Sequence, residues 1–181
     1  MYDLDPPNMK AQFNSINSAN QSIKLSVTLD DKLSHNKGLS DFKYNNKIIF
    51  KYSFNLSNSQ LVINIHTVNS NPNHFNKTVL GSFVYDLSLK YTASLITVNA
   101  KNKADLELLV FGFLQKDFIY SIYKKNSKKS QYKTNFKLSK NYLSLLNSLN
   151  FLKELVSEPS NIIYPASFVK RTQSQLNKKN V

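Results

Sequence analysis

Apolar and polar residues alternate in two stretches of the first third of the chain. Positions 23, 25, 27 and 29 are apolar and the positions between them are polar. A second run places five large apolar side chains on one face: Ile48, Phe50, Tyr52, Phe54 and Leu56. Strict alternation is typical of β-strands with one buried and one wetted face. Both stretches are therefore predicted to be strands.

Further apolar runs follow, separated by polar turns. They cover 61–68, 79–89 with an interruption at Gly81, a short run at 95–98, and 106–114, while 118–123 forms a last strand or a bridge. Strands at this spacing indicate an antiparallel sandwich. We therefore predict a mainly β fold: an extended lead-in over 1–19, an antiparallel β-sandwich over 20–123, and a basic loop, amphipathic helix and tail over 124–181.

The helix of that last part has the clearest period in the chain. Ser139 is a suitable N-cap and Pro159 ends the helix, which gives bounds of about 140–157. Its apolar residues recur at helical spacing: Tyr142, Leu145, Leu146, Leu149, Leu152, Leu155 and Val156. Such a wide stripe predicts that the helix packs on the sandwich or on a partner, and we treat it as a protein-interface helix.

Four motifs between residues 42 and 114 occur in a recognisable order. The pair Tyr52-Ser53-Phe54 ends one run, 61–66 forms the next, Leu80-Gly81 opens a third, and 105–110 closes the series. In order and spacing this stretch resembles a C2 domain. The resemblance implies a C2-like β-sandwich that serves as a docking module for lipid headgroups or proteins.

The calcium ligands of that family have no counterpart here. Calcium-binding C2 domains place aspartates where this chain has Thr67, Asn69 and Thr78, and the whole segment 67–78 lacks a carboxylate. Calcium needs several hard, mostly charged oxygen ligands. The resemblance therefore implies a divergent, calcium-independent member, with no metal and no cofactor.

Positive charge is concentrated in the last third of the chain. The net charge is +13, made up of +3 in residues 1–115 (11 Lys, 8 acids) and +10 in residues 116–181 (13 Lys or Arg, 3 acids). Such asymmetry indicates an acidic partner: nucleic acid, anionic lipid or an acidic protein surface. The alternative is a solvated tail in a lysine-rich proteome.

Two groups of lysines are candidate contacts for an anionic partner. Lys43, Lys47 and Lys51 are predicted to share the wetted face of one strand, where C2 domains bind lipid headgroups, although lysines also protect sheet edges. The second group lies near Tyr120, Tyr123 and Tyr132, a mixture that suits phosphate contact with stacking or a membrane surface. It consists of Lys124, Lys125, Lys128, Lys129 and Lys133.

Catalytic signals are missing from the sequence. There is no cysteine, the three histidines are scattered, and the three glycines lie too far apart for a phosphate-binding loop. We therefore predict a non-enzymatic, intracellular interaction or scaffold module with no small-molecule substrate, docked in a larger protein assembly or at an anionic membrane surface. The alternative is a nucleic-acid-associated protein, for example a ribosome-associated one.

Overall fold

Six strands and four helices make up the part of the chain that the computed structural model describes, namely residues 23–30, 39–44, 47–57, 60–67, 73–119 and 133–177. In chain order they are β1 (Ile23–Asp30), β2 (Ser40–Tyr44), β3 (Lys47–Ser57), β4 (Gln60–Thr67), α1 (His74–Lys90), β5 (Ala93–Ala100), α2 (Lys103–Lys116), β6 (Lys133–Thr134), α3 (Lys140–Ser157) and α4 (Pro165–Asn177).

The strands form one mixed sheet in the order β2-β3-β4-β1-β5-β6. The strands β4, β1, β5 and β6 run parallel, whereas β3 is antiparallel to both of its neighbours. The register aligns apolar side chains in rows, for example Ile63 beside Val27 and Val27 beside Val98. Because these side chains are buried, one face of the sheet is the wall of the core. The other face of β1 is polar and half-buried, at Ser26 and Thr28.

Helices α1 and α2 complete the core. The ring of Phe83 on α1 lies 4.8 Å from Phe42, 5.5 Å from Phe50 and 5.4 Å from Tyr52, measured between centroids. Phe113 of α2 is fully buried in the same cluster. Aromatic contacts of this kind stabilise beyond the area they bury. Helices α1 and α2 therefore pack together against the apolar face of the sheet.

Two glycines allow α1 and α2 to touch backbone to backbone. A Cβ atom at Gly81 would lie 1.9 Å from the carbonyl oxygen of Leu109, and one at Gly112 would lie 2.0 Å from that of Thr78. Real Cβ atoms do not come so close to backbone, so only glycine fits at either position. Gly81 and Gly112 therefore allow the axes of α1 and α2 to approach each other closely.

The predicted mainly β, C2-like sandwich is wrong. Segments 79–89 and 106–114, predicted as strands, lie in α1 and α2, and the sheet is mixed rather than antiparallel. Each helix has seven buried residues on more than one side, so apolar positions occur at helical and at alternating spacings alike. A short run that is apolar all round does not reveal its period. The strands predicted near 23–29, 48–56, 61–68 and 95–98 are confirmed as β1, β3, β4 and β5.

The inferences that rested on the C2 resemblance change with the fold. Leu80-Gly81 and the segment 105–110 are helical, and Thr78 lies in the second turn of α1 rather than in a loop between strands. The comparison with calcium loops and with the lipid-binding strand face therefore loses its structural basis. The predicted lead-in over 1–19 and most of the lysine-rich loop lie outside the described residues.

Candidate interaction surface

Helix α3 is attached to the body by one of its sides. The ring of Tyr142 lies 5.4 Å from that of Phe111 on α2, and Leu146 is buried. Two turns further along the same face, the Lys153 ammonium donates to the carbonyl oxygen of Gln115 over 2.5 Å and sits 5.3 Å from the Phe118 ring centroid. Partial burial lowers the pKa of Lys153. This lysine caps the last turn of α2 and fixes α3 against it.

Helix α4 is held to the end of α3 by a buried carboxylate. Arg171 Nη1 donates to Glu158 Oε1 over 2.6 Å, and the Glu158 side chain is only 2% exposed. Its second oxygen, Oε2, is buried and has no hydrogen-bond partner among the described residues. The hydroxyl of Ser167 accepts from the backbone N–H of Tyr164 and donates to the carbonyl of Ile162, which closes the turn. Together α3 and α4 form a helical hairpin.

A row of leucines and one valine along α3 is left largely exposed by the body and by α4. Leu145, Leu149, Leu152 and Val156 are spaced by four, three and four residues, so they lie on one side of the helix; we call them the apolar stripe. Leu145 is 48% exposed, Leu152 53% and Val156 86%, while Leu149 is half-buried. Large apolar side chains remain exposed on the neighbouring hairpin segment as well: Tyr164, Phe168, Val169 and Leu176.

A groove of about 630 Å³ separates the two helices of the hairpin. Its apolar walls come from Phe151, Leu152 and Leu176, and its rim carries amides and hydroxyls: Asn147, Ser148, Asn150, Thr172 and Gln175. Among the described residues, Glu154 is the one acidic side chain that lines it. The Oδ1 atom of Asn150 is buried and has no hydrogen-bond partner within the described part of the chain. We call this feature the α3–α4 groove.

The structure confirms the predicted helix but divides its apolar residues between two roles. Helix α3 covers 140–157 and begins after Ser139, as the sequence predicted. Leu146 and Leu155 are buried within the chain, and Tyr142 is half-buried. The apolar stripe, in contrast, is not covered by any described residue of the same chain to the extent that a core requires. Of the two predicted arrangements, packing on the body accounts for only part of the helix.

Only some of the predicted lysines lie among the residues that the structure describes. Lys43 lies on β2 and is exposed, whereas Lys47 and Lys51 belong to β3, so the three do not follow one strand. Lys51 forms an ion pair with Asp41 across the β2–β3 ladder, at 3.6 Å. Lys133 opens β6 and is exposed. The other four predicted contacts lie outside the described residues: Lys124, Lys125, Lys128 and Lys129.

Helix α4 and the groove were not predicted from the sequence, where only a tail was expected after the helix that Pro159 ends. The signal was present but weak: Phe168, Thr172 and Leu176 recur every four residues. Among the residues that the structure describes, no three His, Asp or Glu side chains are grouped so that they could hold a metal ion. Nor is any helix there both long and apolar enough to cross a lipid bilayer.

No protein-family model matches the sequence, and no curated protein sequence matches it. The solved structures that resemble the fold include two enzymes. A mutant of tomato leucine aminopeptidase shares 12% sequence identity over 88% of this chain and 40% of its own, with a TM-score of 0.56. The bottromycin maturation enzyme BotP shares 8% identity over 88% of this chain and 38% of its own, with a TM-score of 0.58. At such identities the likeness concerns the α/β fold alone, and this chain spans about two fifths of either protein.

Proposed function

We propose that this protein is a non-enzymatic docking module that joins a larger protein assembly through its α3–α4 hairpin. The observation that carries the proposal is the apolar stripe, where three apolar side chains in line are each 48% or more exposed. Single exposed apolar residues are ordinary on protein surfaces, but aligned ones that continue onto a second helix mark binding sites. The absence of cysteine fits an intracellular setting for this assembly.

The energetic gain from covering this surface is large enough to matter. Full burial of a leucine or valine side chain contributes about 1.5–3 kcal/mol, and the stripe has roughly half of that still to gain at each exposed position. Three such positions, together with Phe168 and Val169 exposed on α4, supply several kcal/mol before the cost of association is subtracted. A protein partner with a complementary apolar face is therefore the occupant that the surface favours.

Lipid and nucleic acid suit this surface less well. A helix that lies in a membrane interface usually carries a strongly basic polar face, whereas α3 has only Lys140, Lys153 and Glu154, and Lys153 is already tied to Gln115. Nucleic acid is bound chiefly through phosphates, which need basic groups rather than leucines. The lysine-rich segment 124–133 keeps nucleic-acid association as the second hypothesis, on charge alone.

The enzymes that share the fold do not argue for catalysis here. Their activities belong to chains more than twice as long as the part that aligns with this one, at 8–12% identity. One fold serves many unrelated functions, so activity has to be argued from a site. The strongest surface feature in the described residues is apolar, and apolar surfaces bind rather than catalyse.

The test is to place charge on the stripe and follow the native assembly. We expect the full chain, tagged and expressed in its source cells, to elute in a large complex on size exclusion. The double change Leu145→Asp with Leu152→Asp should shift it to the free form without lowering its melting temperature. Leu89→Asp is the matched control, because Leu89 at the end of α1 is also 48% exposed. Retention of the complex by the double variant, or its loss in the control, would refute the proposal.

A further inference from the structure

We infer that the partner segment bound by the α3–α4 groove is an amphipathic α-helix with acidic residues at one end. This inference rests on the proposed docking function and names the chemistry of the partner. It is drawn from three observations: the shape of the groove, the composition of its walls, and the charge at its open end.

The groove is bounded by two helices. It is lined by Asn147 and Ser148 of α3 and by Gln175 and Leu176 of α4, and the bond between Glu158 and Arg171 turns α4 back along α3. Helix α4 has 13 residues, a length of about 20 Å. A partner helix of about the same length would lie along both helices, in the helix-in-groove arrangement by which amphipathic helices dock.

The composition of the walls matches an amphipathic partner. Apolar side chains line the groove and continue into the stripe through Leu152, which belongs to both. The amides and hydroxyls of the rim suit the polar flanks of a bound helix.

Charge distinguishes one end of the hairpin from the other. At the turn, Glu158 is neutralised by Arg171. At the opposite end, where α3 begins, Lys137 and Lys140 are both exposed. No acidic residue lies in the first turn of α3, so the positive end of its helix dipole adds to these charges. Acidic residues of the partner are therefore expected at this end.

The same charge argues against a second copy of the chain as the occupant. Each copy has a net charge of +13, and the hairpin itself, residues 140–177, carries four basic and two acidic side chains, a net charge of +2. Two such surfaces would repel each other, and like charges at an interface cost binding energy. An acidic partner gains from the same field, which also speeds its association at low salt.

Fluorescence anisotropy with designed peptides tests the inference on the full chain. The probes are labelled amphipathic helices of about 16 residues that share one leucine stripe and differ only at one end, which carries either glutamates or lysines, with each version made in both orientations. We expect one glutamate peptide to bind about tenfold more tightly than its lysine counterpart at about 50 mM salt, with the difference shrinking at about 300 mM.

Matched variants separate the charge from the apolar contact. Lys137→Gln with Lys140→Gln should remove the preference for glutamate and retain the weaker binding, whereas Lys43→Gln with Lys103→Gln, which removes the same charge from exposed positions on β2 and α2, should leave the preference intact. Leu152→Asp should weaken binding of every peptide at least tenfold, as expected for a desolvated contact residue.

Other outcomes overturn the inference. Equal binding of glutamate and lysine peptides, or no binding of either, excludes an acidic helix as the partner. Leucine-dependent self-association of the chain would show that a second copy occupies the surface, and leucine-dependent binding to phosphatidylserine vesicles in place of the peptides would assign it to a membrane. In each case, loss of the native assembly in the Leu145→Asp, Leu152→Asp variant tells independently whether protein docking stands.

Discussion

Two helical pairs in this protein use apolar residues in opposite ways. In the α1–α2 pair each helix has seven buried residues, and the backbones touch at Gly81 and Gly112. Residues of both helices pack on the apolar face of the sheet and complete the core. In the α3–α4 pair only Leu146 and Leu155 are buried on α3, and none of the side chains described over residues 165–176 of α4 is buried. A pair that already buries its apolar surface builds the fold. A pair that keeps it exposed provides surface for a partner.

The largest loss of stability is expected when a side chain is placed between the touching backbones of α1 and α2. We expect Gly81→Ala to lower the free energy of unfolding by about 3–4 kcal/mol, because its Cβ would meet the Leu109 carbonyl at 1.9 Å and neither backbone can yield cheaply. Urea denaturation measures this. Ser82→Ala, at the next position, should cost only about 0.5–1 kcal/mol, the value of one hydrogen bond. Equal effects of the two changes would contradict tight backbone packing.

The two ion pairs between α1 and α2 offer a second contrast. Lys77 and Asp105 are nearly buried, with side-chain exposures of 12% and 11%, whereas Lys116 and Asp86 are 44% and 36% exposed. Lys77→Met leaves Asp105 buried without its partner and should cost about 2–3 kcal/mol. Lys116→Met should cost about 0.5 kcal/mol or less, because solvent screens the exposed pair. Chemical denaturation of both variants at one pH measures the two losses in the free energy of unfolding. Equal losses would contradict the difference in burial between the two ion pairs.

Within the hairpin, buried and exposed leucines should respond differently. Leu155→Ala removes a buried side chain and should cost about 2 kcal/mol. Leu152→Ala, at an exposed position on the same helix, should change stability by no more than about 0.5 kcal/mol while it weakens partner binding. Urea denaturation of the isolated chain measures both effects. An equal loss of stability in the two variants would contradict the difference between buried and exposed positions.

The smallest effect concerns the lysine that fixes α3 to α2. Burial lowers the pKa of Lys153 below its ordinary value of 10.5, so in alkaline solution the folded protein loses this proton before the unfolded chain does. The unfolded state then binds more protons, and stability rises with pH between the lowered pKa and 10.5. We expect the stability of the wild type relative to Lys153→Met to increase across that window. A decrease would mean that the charged form is favoured by its surroundings.

The sequence by itself determined the elements whose residues obey one clear period. The strands β1 and β3 alternate over their length, and α3 has a helical stripe bounded by Ser139 and Pro159, so each was predicted close to its observed bounds. The charge asymmetry was also evident from the sequence, because the net charge of a segment depends only on its composition. The residues of the stripe could likewise be identified from their spacing alone.

Tertiary structure decided what those periods could not show. Whether Leu80-Gly81 begins a strand or lies within a helix depends on what surrounds it, because a segment buried on every side has no polar face to mark its period. The parallel pairing of β1 with both β4 and β5 joins segments far apart in the chain, and no local signal encodes it. Exposure of the stripe was equally undetermined: Leu146 and Leu145 are neighbours of the same type, and only the position of α2 makes one core and the other surface.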